Sequence, residues 1–284
     1  MTDRPTLLAA GFGYSARALA ARLIPLGWRV VGTARDPAGF PAIKALGADP
    51  APWPPRAEDI AAATHLLVSA APTADGDPTL AALGDHLAGA SFEWVGYLST
   101  TGVYGDRKGG WVDETSALTP ATRRGEWRVE AEQAWAKTGL PLHIFRLAGI
   151  YGPGRGPFAK LRSGAARRID KPGQVFSRIH RDDIAAALHA SIDGPNPGAI
   201  YNLCDDLAAP PQDVIGYAAD LLGVPQPPLI PIEQAEMSAM ARSFYSESKR
   251  VSNRRLREEL GVDLAYPTYR EGLAATLAEE TAGA

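Results

Sequence analysis

The sequence predicts an α/β fold, a doubly wound parallel sheet with a smaller, mostly helical C-terminal lobe. Three observations predict it. Through about residue 150, short apolar runs alternate with segments of helical periodicity. Most of those runs are apolar throughout, as expected of strands buried on both faces of a parallel sheet covered by helices. The first run ends at a glycine-rich turn, "GFGYSA", that opens the first helix.

The elements follow in order. "TLLAA" (6–10) stops at Gly11 and is a strand. "YSARALAARLIPLG" has helical spacing and ends near Gly27. "WRVVGTAR" is the second strand and "PAGFPAIKALG" the next helix. "THLLVSAAP" (64–72) is a strand closed by Pro72. "PTLAALGDHLAG" is helical, "FEWVGYLST" (92–100) a strand, and "PATRRGEWRVEAEQAWAKTG" (120–139) a helix. "LPLHIFRLAGIYGPG" reads as a strand running into a Gly/Pro loop. Beyond it, "QVFSRIH" and "AIYNLCDD" are later strands with the helix "RDDIAAALHASI" between them. "PQDVIGYAADLLG" and "SNRRLREELG" are helices of the last part, while the Pro-rich pieces "DPAPWPP" and "PQPPLIP" read as connections. Residues 1–150 with 174–204 are expected to form the nucleotide-binding domain. Residues 151–173 with 205–284 are expected to form a substrate-side lobe over the carboxyl edge of the sheet, where such folds bind ligands.

Composition sets limits. The chain has 284 residues, 45% of them hydrophobic and 21% charged, which suits a large, well-filled core. A net charge of −3 gives no general electrostatic case for nucleic acid or an anionic membrane. One cysteine, Cys204, excludes an intrachain disulfide and fits a reducing cytoplasm. The apolar run at the N-terminus is too short for a signal peptide, and no segment has the length of a membrane span. Five histidines without ligand spacing predict no metal site.

The turn Gly11-Phe12-Gly13-Tyr14-Ser15-Ala16 fits G-x-G-x-x-G/A. In the nucleotide-binding reading, Gly11 permits the tight turn and Gly13 lets a pyrophosphate approach the backbone. Ala16 allows close helix–strand packing, and the helix start offers free N–H groups. The other reading is an ordinary tight turn. The second strand ends Thr33-Ala34-Arg35 with no carboxylate at its tip. A planar Arg35 guanidinium suits a 2′-phosphate, which favours NADP, while Asp36 one residue on keeps NAD open. Gly11, Phe12, Gly13, Tyr14, Ser15, Thr33, Arg35, Ala70 and Ala71 form the expected cofactor-binding set.

"YLSTTGVYGD" (97–106) resembles the S-S-x-x-V-Y-G stretch of the extended short-chain dehydrogenase/reductases, the NAD-dependent epimerase/dehydratase family with its Rossmann-like fold. "RLAGIYGPGR" resembles R-x-x-N-V-Y-G-P-G, "RIHRDDIAAAL" resembles F-V-H-V-D-D-V-A, and "YNLCDD" the Y-N-V strand. Four dispersed matches in the right order cover most of the chain. "WVDETS", "SKRVSNRRLREELG" and a missing tyrosine resemble the atypical, YeeZ-like subgroup. The resemblance implies that Thr100, with Ser99 and Thr101 beside it, orients a substrate carbonyl.

The family's Tyr-x-x-x-Lys pair is absent. Its positions fall on Arg124 and Arg128, which share one helix face at i, i+4. A guanidinium stays protonated, so Arg124 cannot cycle a proton. Arg128 keeps a donor for a ribose hydroxyl, and Arg124 suits a phosphate or an anionic substrate. Tyr104, Tyr151, His180 and Cys204 read as structural. Asp113 and Glu114 lie in a loop expected near the crevice, though a structural role is favoured for both. The basic cluster Lys249, Arg250, Arg254, Arg255 and Arg257 reads as a solvated face, or as one that lends a cation to the crevice.

Two functions remain open. The first is an NADP-dependent oxidoreductase or epimerase acting on a small molecule, polar or anionic, as a monomer or homodimer. The second is a non-catalytic NADP-binding sensor that has lost the proton relay. Hydride transfer to a panel of carbonyl compounds separates them.

Overall fold

The computed structural model describes residues 4–87 and 89–282. Residue 88, inside the helix predicted after Pro78, and the chain ends of the two predicted domains lie outside the described residues. The strands are β1 (Thr6–Ala10), β2 (Arg29–Ala34), β3 (Asp49–Pro52), β4 (His65–Val68), β5 (Trp94–Thr100), β6 (Trp111–Val112), β7 (Leu142–Leu147), β8 (Gly149–Tyr151), β9 (Arg168–Asp170), β10 (Arg178–His180), β11 (Ile200–Leu203), β12 (Leu229–Pro231) and β13 (Arg250–Val251). The helices are α1 (Tyr14–Leu23), α2 (Phe40–Lys44), α3 (Ala57–Ala61), α4 (Pro78–Leu83), α5 (Arg123–Ala136), α6 (Phe158–Arg162), α7 (Arg181–Asp193), α8 (Pro211–Leu222), α9 (Ala239–Phe244), α10 (Arg254–Glu258) and α11 (Tyr269–Ala282).

Seven strands form one parallel sheet in the order β11-β7-β5-β4-β1-β2-β3. The chain works outward from β1 to β3, then returns to β4 on the other side of β1. The direction reverses between β1 and β4, and a crevice opens there at the carboxyl ends of the strands. Side chains alternate between faces along each strand. Leu7, Ala9, Val30, Leu67 and Trp94 join one apolar cluster with Leu19 of α1, Ile43 of α2 and Ile184 of α7. Leu8, Ala10, Val31, Leu66 and Val95 join the other, with Ile60 of α3, Leu83 of α4 and Trp135 of α5. Helices therefore cover both faces. A third cluster, from Tyr151 and Phe158 through Val214 to Leu273, lies under α6, α8 and α11. Val251, Leu256, Val262 and Leu264 pack with the sheet's first cluster.

Both Pro-rich pieces read as connections contain strands. Asp49–Pro52 is the sheet's edge strand, in register from Val31↔Asp49 to Ala34↔Pro52. The two prolines alternate, so their missing donors both fall on the open side, and Trp53 N–H donates to Ala34 O at 2.9 Å. Leu229–Pro231 pairs with β9 in a small two-stranded sheet. Two other pieces are shorter than expected. Of "QVFSRIH" only Arg178–His180 is strand, and it pairs with β8 outside the main sheet. Of "SNRRLREELG" only Arg254–Glu258 is α-helix.

A buried polar network ties α5 to the sheet. Glu132 and Arg146 are 4% and 2% exposed and meet in a two-pronged ion pair, Nη2–Oε2 2.7 Å and Nε–Oε1 3.1 Å. Ser99 Oγ donates to the same carboxylate. Arg146 Nη1 donates to the Tyr104 hydroxyl at 3.0 Å, which donates to Asn202 Oδ1 at 2.7 Å. Asn202 N–H reaches Glu114 Oε1 at 2.8 Å. One charge pair thereby joins β5, α5, β7, β11 and the 113–116 loop. Breaking such a pair strands a charge in the core, so Glu132→Ala should lower unfolding free energy by ~3–5 kcal/mol in a urea titration. A loss under about 1 kcal/mol, typical of an exposed pair, would show that the network does not hold α5.

Candidate active site

The crevice at the switch point is a cleft of about 980 Å³. Gly13, Tyr14 and Ser15 form one end, Ser69 and 98–102 the middle, Arg124 and Arg128 one wall, and 147–151 the floor beyond β7. The substrate-side wall comes from Arg155, Phe176–Arg178, Ser243, Phe244, Glu247 and Lys249.

The glycine turn separates its two glycines by cause. Gly11 has φ +93, and a Cβ there would lie 2.9 Å from Ser69 Oγ and 3.2 Å from Ala70 N. The turn itself requires that glycine. Gly13 has φ −87, and a Cβ there would meet nothing within 4 Å. Protein packing does not require a glycine at 13, whereas a ligand lying against the backbone does. No side chain caps α1, and its first turn holds no acid, so the N–H groups of the first turn are open to an anion. Thr33 Oγ1 accepts from Gly11 N–H at 2.8 Å and donates to Ala9 O at 3.0 Å. It braces the turn from below.

The remaining predicted cofactor residues divide. Tyr14 and Ser15 line the cleft. Phe12 turns inward, 6% exposed, against the backbone of Gly32. Phe12, Thr33, Ala70 and Ala71 do not line the cleft. Arg35 is exposed at the end of β2. Asp36 accepts from Ala38 N–H at 2.9 Å and so caps the following turn.

Thr100, Arg124 and Arg128 do come together on the cleft wall. Thr100 Oγ1 accepts from Gly102 N–H at 3.2 Å, which leaves its proton to donate. The start of α5 sits close to this loop because residue 125 is glycine. A Cβ there would lie 2.7 Å from Pro120 Cβ and 3.2 Å from Gly102 O. Arg128 Nη1 donates to Leu98 O at 2.7 Å and to the Tyr97 hydroxyl at 3.0 Å, with the guanidinium over the Tyr97 ring. Arg124 is exposed and makes no ion pair among the described residues.

Of the residues predicted as structural, Tyr151 lines the cleft floor, whereas Tyr104, Asp113, Glu114 and Cys204 stand away from it. Tyr104 lies in the buried network, and burial pushes its hydroxyl pKa up. Glu114 is 8% exposed on Asn202, and Asp113 bonds to Thr115 and Ser116, so neither faces the crevice. Cys204 is fully buried, with its thiol pKa pushed up by burial. In the basic cluster, Arg255 pairs with Glu259, Arg257 with Asp206, and Arg250 with Gly109 O; Lys249 alone reaches the cleft.

Sequence reasoning missed Arg155, Arg178 and Glu247. Arg155 closes the Gly/Pro loop after β8, and its guanidinium lies over the Tyr14 ring. Arg178 stands two residues before His180 and donates to Phe176 O and Ala209 O at 2.9 and 3.1 Å. Both were within quoted motifs and could have been found by adjacency. Glu247 lies in an irregular segment that carries no signal. In all, five arginines and one lysine line the cleft against one glutamate, which favours an anionic ligand. Among the described residues no group of three His, Cys, Asp or Glu could hold a metal ion, and no helix is long and apolar enough to cross a membrane.

No family model matches the chain. It is 32% identical to Protein YeeZ of Escherichia coli (strain K12) over 175 residues, 60% of this chain and 58% of YeeZ. The match thus spans little more than half of that curated relative. The solved structure of a functionally unknown conserved protein from Silicibacter pomeroyi DSS is 60% identical, with TM-score 0.94 over 97% of this chain and 99% of that one. UDP-glucose 4-epimerase from Bifidobacterium longum, solved with NAD+ and UDP, shares the fold at 18% identity, TM-score 0.74 and 98% coverage of both chains.

His180 supports the cleft without facing it. Its Nδ1 accepts from Asp182 N–H at 3.2 Å, capping α7, and its ring packs on Tyr266 and Tyr151. Burial drives its pKa down to about 4, against the pull of the Asp182 carboxylate. The unfolded chain, titrating at ~6.5, takes up this proton first. Stability is therefore complete above pH ~6.5 and falls as pH drops toward 4. In an NMR titration the His180 ring signal should have its midpoint near 4. A midpoint of about 6.5 would mean the imidazole is not buried as described.

Proposed function

We propose that the chain, which resembles the YeeZ-like, atypical short-chain dehydrogenase/reductases, binds NADP(H) across the carboxyl edge of its sheet and works as an oxidoreductase or epimerase on a small, anionic carbonyl or hydroxyl compound. The observation that carries this reading is the open backbone at Gly13, continuous in one cleft with Thr100, Arg124 and Arg128. The Rossmann-like division stands with it: residues 1–150 with 174–204 hold the dinucleotide, and 151–173 with 205–284 serve the substrate. The protein acts in the cytoplasm as a monomer or homodimer, without nucleic acid or membrane partners.

The residues present fit the dinucleotide. The N–H groups at Gly13–Ser15 would hold the pyrophosphate, and Arg128 would offer its remaining donors to a nicotinamide-side ribose. Arg35 is exposed at the β2 tip, whereas the Asp36 carboxylate already caps a turn, which supports NADP over NAD. The bound cofactor supplies or accepts a hydride. Thr100 donates to the substrate oxygen and holds it in place. Arg124 faces the cleft as a permanent charge and clamps an anionic group of the substrate. Arg124 also favours the second reading, a sensor that binds NADP and performs no chemistry, because it stands where the family keeps its proton carrier.

Calorimetric titration tests the reading. Wild type should bind NADPH more tightly than NADH. Arg35→Ala should weaken NADPH by about 10- to 100-fold and leave NADH nearly unchanged. Gly13→Val should abolish binding of both while the protein stays folded, since its Cβ meets nothing in the free chain. Normal binding by the valine variant would make residues 11–16 an ordinary turn.

A further inference from the structure

A hydride reaction at a carbonyl needs a proton donor, and Arg124 cannot be one. Among the groups lining the cleft, four side chains can exchange a proton: Tyr14, Tyr151, Glu247 and Lys249. The tyrosines are engaged elsewhere. Tyr14 donates to Pro153 O at 2.9 Å, with Arg155 and Arg181 over its ring. Tyr151 is 6% exposed, directs its hydroxyl to Thr268 O at 3.4 Å and packs against Gly272. Burial pushes both hydroxyl pKa values up.

The remaining two form a pair. Lys249 Nζ lies 2.5 Å from Glu247 Oε2, and the two side chains are only 10% and 13% exposed. The segment that carries them is fixed. Gln174 Nε2 donates to Glu247 O at 2.5 Å, Ser248 N–H to Asp106 Oδ1 at 2.8 Å, and Val251 N–H to Ser177 Oγ at 3.1 Å. We propose that Lys249, oriented by Glu247, hands the proton to the substrate oxygen in place of the absent tyrosine. This rests on the oxidoreductase reading above. The carbonyl carbon accepts a hydride from the reduced dinucleotide while its oxygen takes a proton from the Lys249 ammonium. The C=O bond becomes C–O–H, reduced by two electrons, and the dinucleotide is oxidised by two. The amine left on Lys249 regains a proton from water in the open cleft. The chemistry matches the missing residue, because lysine and tyrosine side chains in water both release protons near pH ~10, well below arginine.

The test is NADPH oxidation by the whole chain with a panel of anionic ketones and aldehydes, beside calorimetric NADPH affinity. Lys249→Arg keeps the charge and removes the transferable proton. It should hold NADPH affinity and substrate KM within about threefold and lower kcat about 10²- to 10⁴-fold. Glu247→Gln should lower kcat about tenfold with KM kept, and it serves alone if the arginine variant does not fold. An active wild type whose kcat survives either change overturns Lys249 as donor and leaves the reading standing. A wild type that binds NADPH and oxidises it with no member of the panel overturns the reading and the donor with it.

Discussion

The cleft depends on the buried pair between Glu132 and Arg146. Arg146 is the next-to-last residue of β7 and Glu132 comes from the third turn of α5, and both are almost fully buried. Such a pair contributes little net stability over an apolar replacement, because desolvation offsets most of its attraction. Its value here is positional. The carboxylate also takes the Ser99 hydroxyl, one residue before Thr100, so the helix and the strand end are held by the same group. Arg128 and Arg124 lie one and two turns nearer the start of the same helix. Their distance from Thr100 is therefore set by a contact that never touches a ligand.

Beside the family that the sequence resembles, the cleft carries arginines where that resemblance implies tyrosine and lysine. At 128 the exchange of lysine for arginine is partly absorbed by the fold, since Leu98 O and the Tyr97 hydroxyl take its Nη1 donor. At 124 no ion pair among the described residues absorbs the charge, and it adds to the cations of Arg155 and Arg178 on the cleft wall. A surface with that balance binds anions before it does any chemistry. The covalent work, where there is any, must pass to a group that can lose a proton.

The layers and the glycine turn were legible in the sequence because both rest on local signals. Apolar runs with two buried faces, helical spacing and the Gly11/Gly13 turn are each contained within a few residues. Leu7, Leu8 and their neighbours had to face opposite layers, and they do. The edge strand at Asp49–Pro52 was not legible, because proline argues against strands unless the open side is known, and that is a tertiary fact. The site followed the same rule. Thr100, Arg124 and Arg128 were placed by motif register. Lys249 was visible only as one of five basic residues. Glu247 was invisible, because its partner lies in a segment held by Gln174, Asp106 and Ser177 from distant parts of the chain.

The central claim is that Arg124 holds a ligand and is not a worn catalytic position. The direct measurement compares substrate KM and kcat for NADPH oxidation in wild type and in Arg124→Tyr. The account predicts a KM raised about 10- to 100-fold, the cost of one charge-assisted contact, with no gain in kcat. An unchanged KM together with a rise in kcat would contradict it.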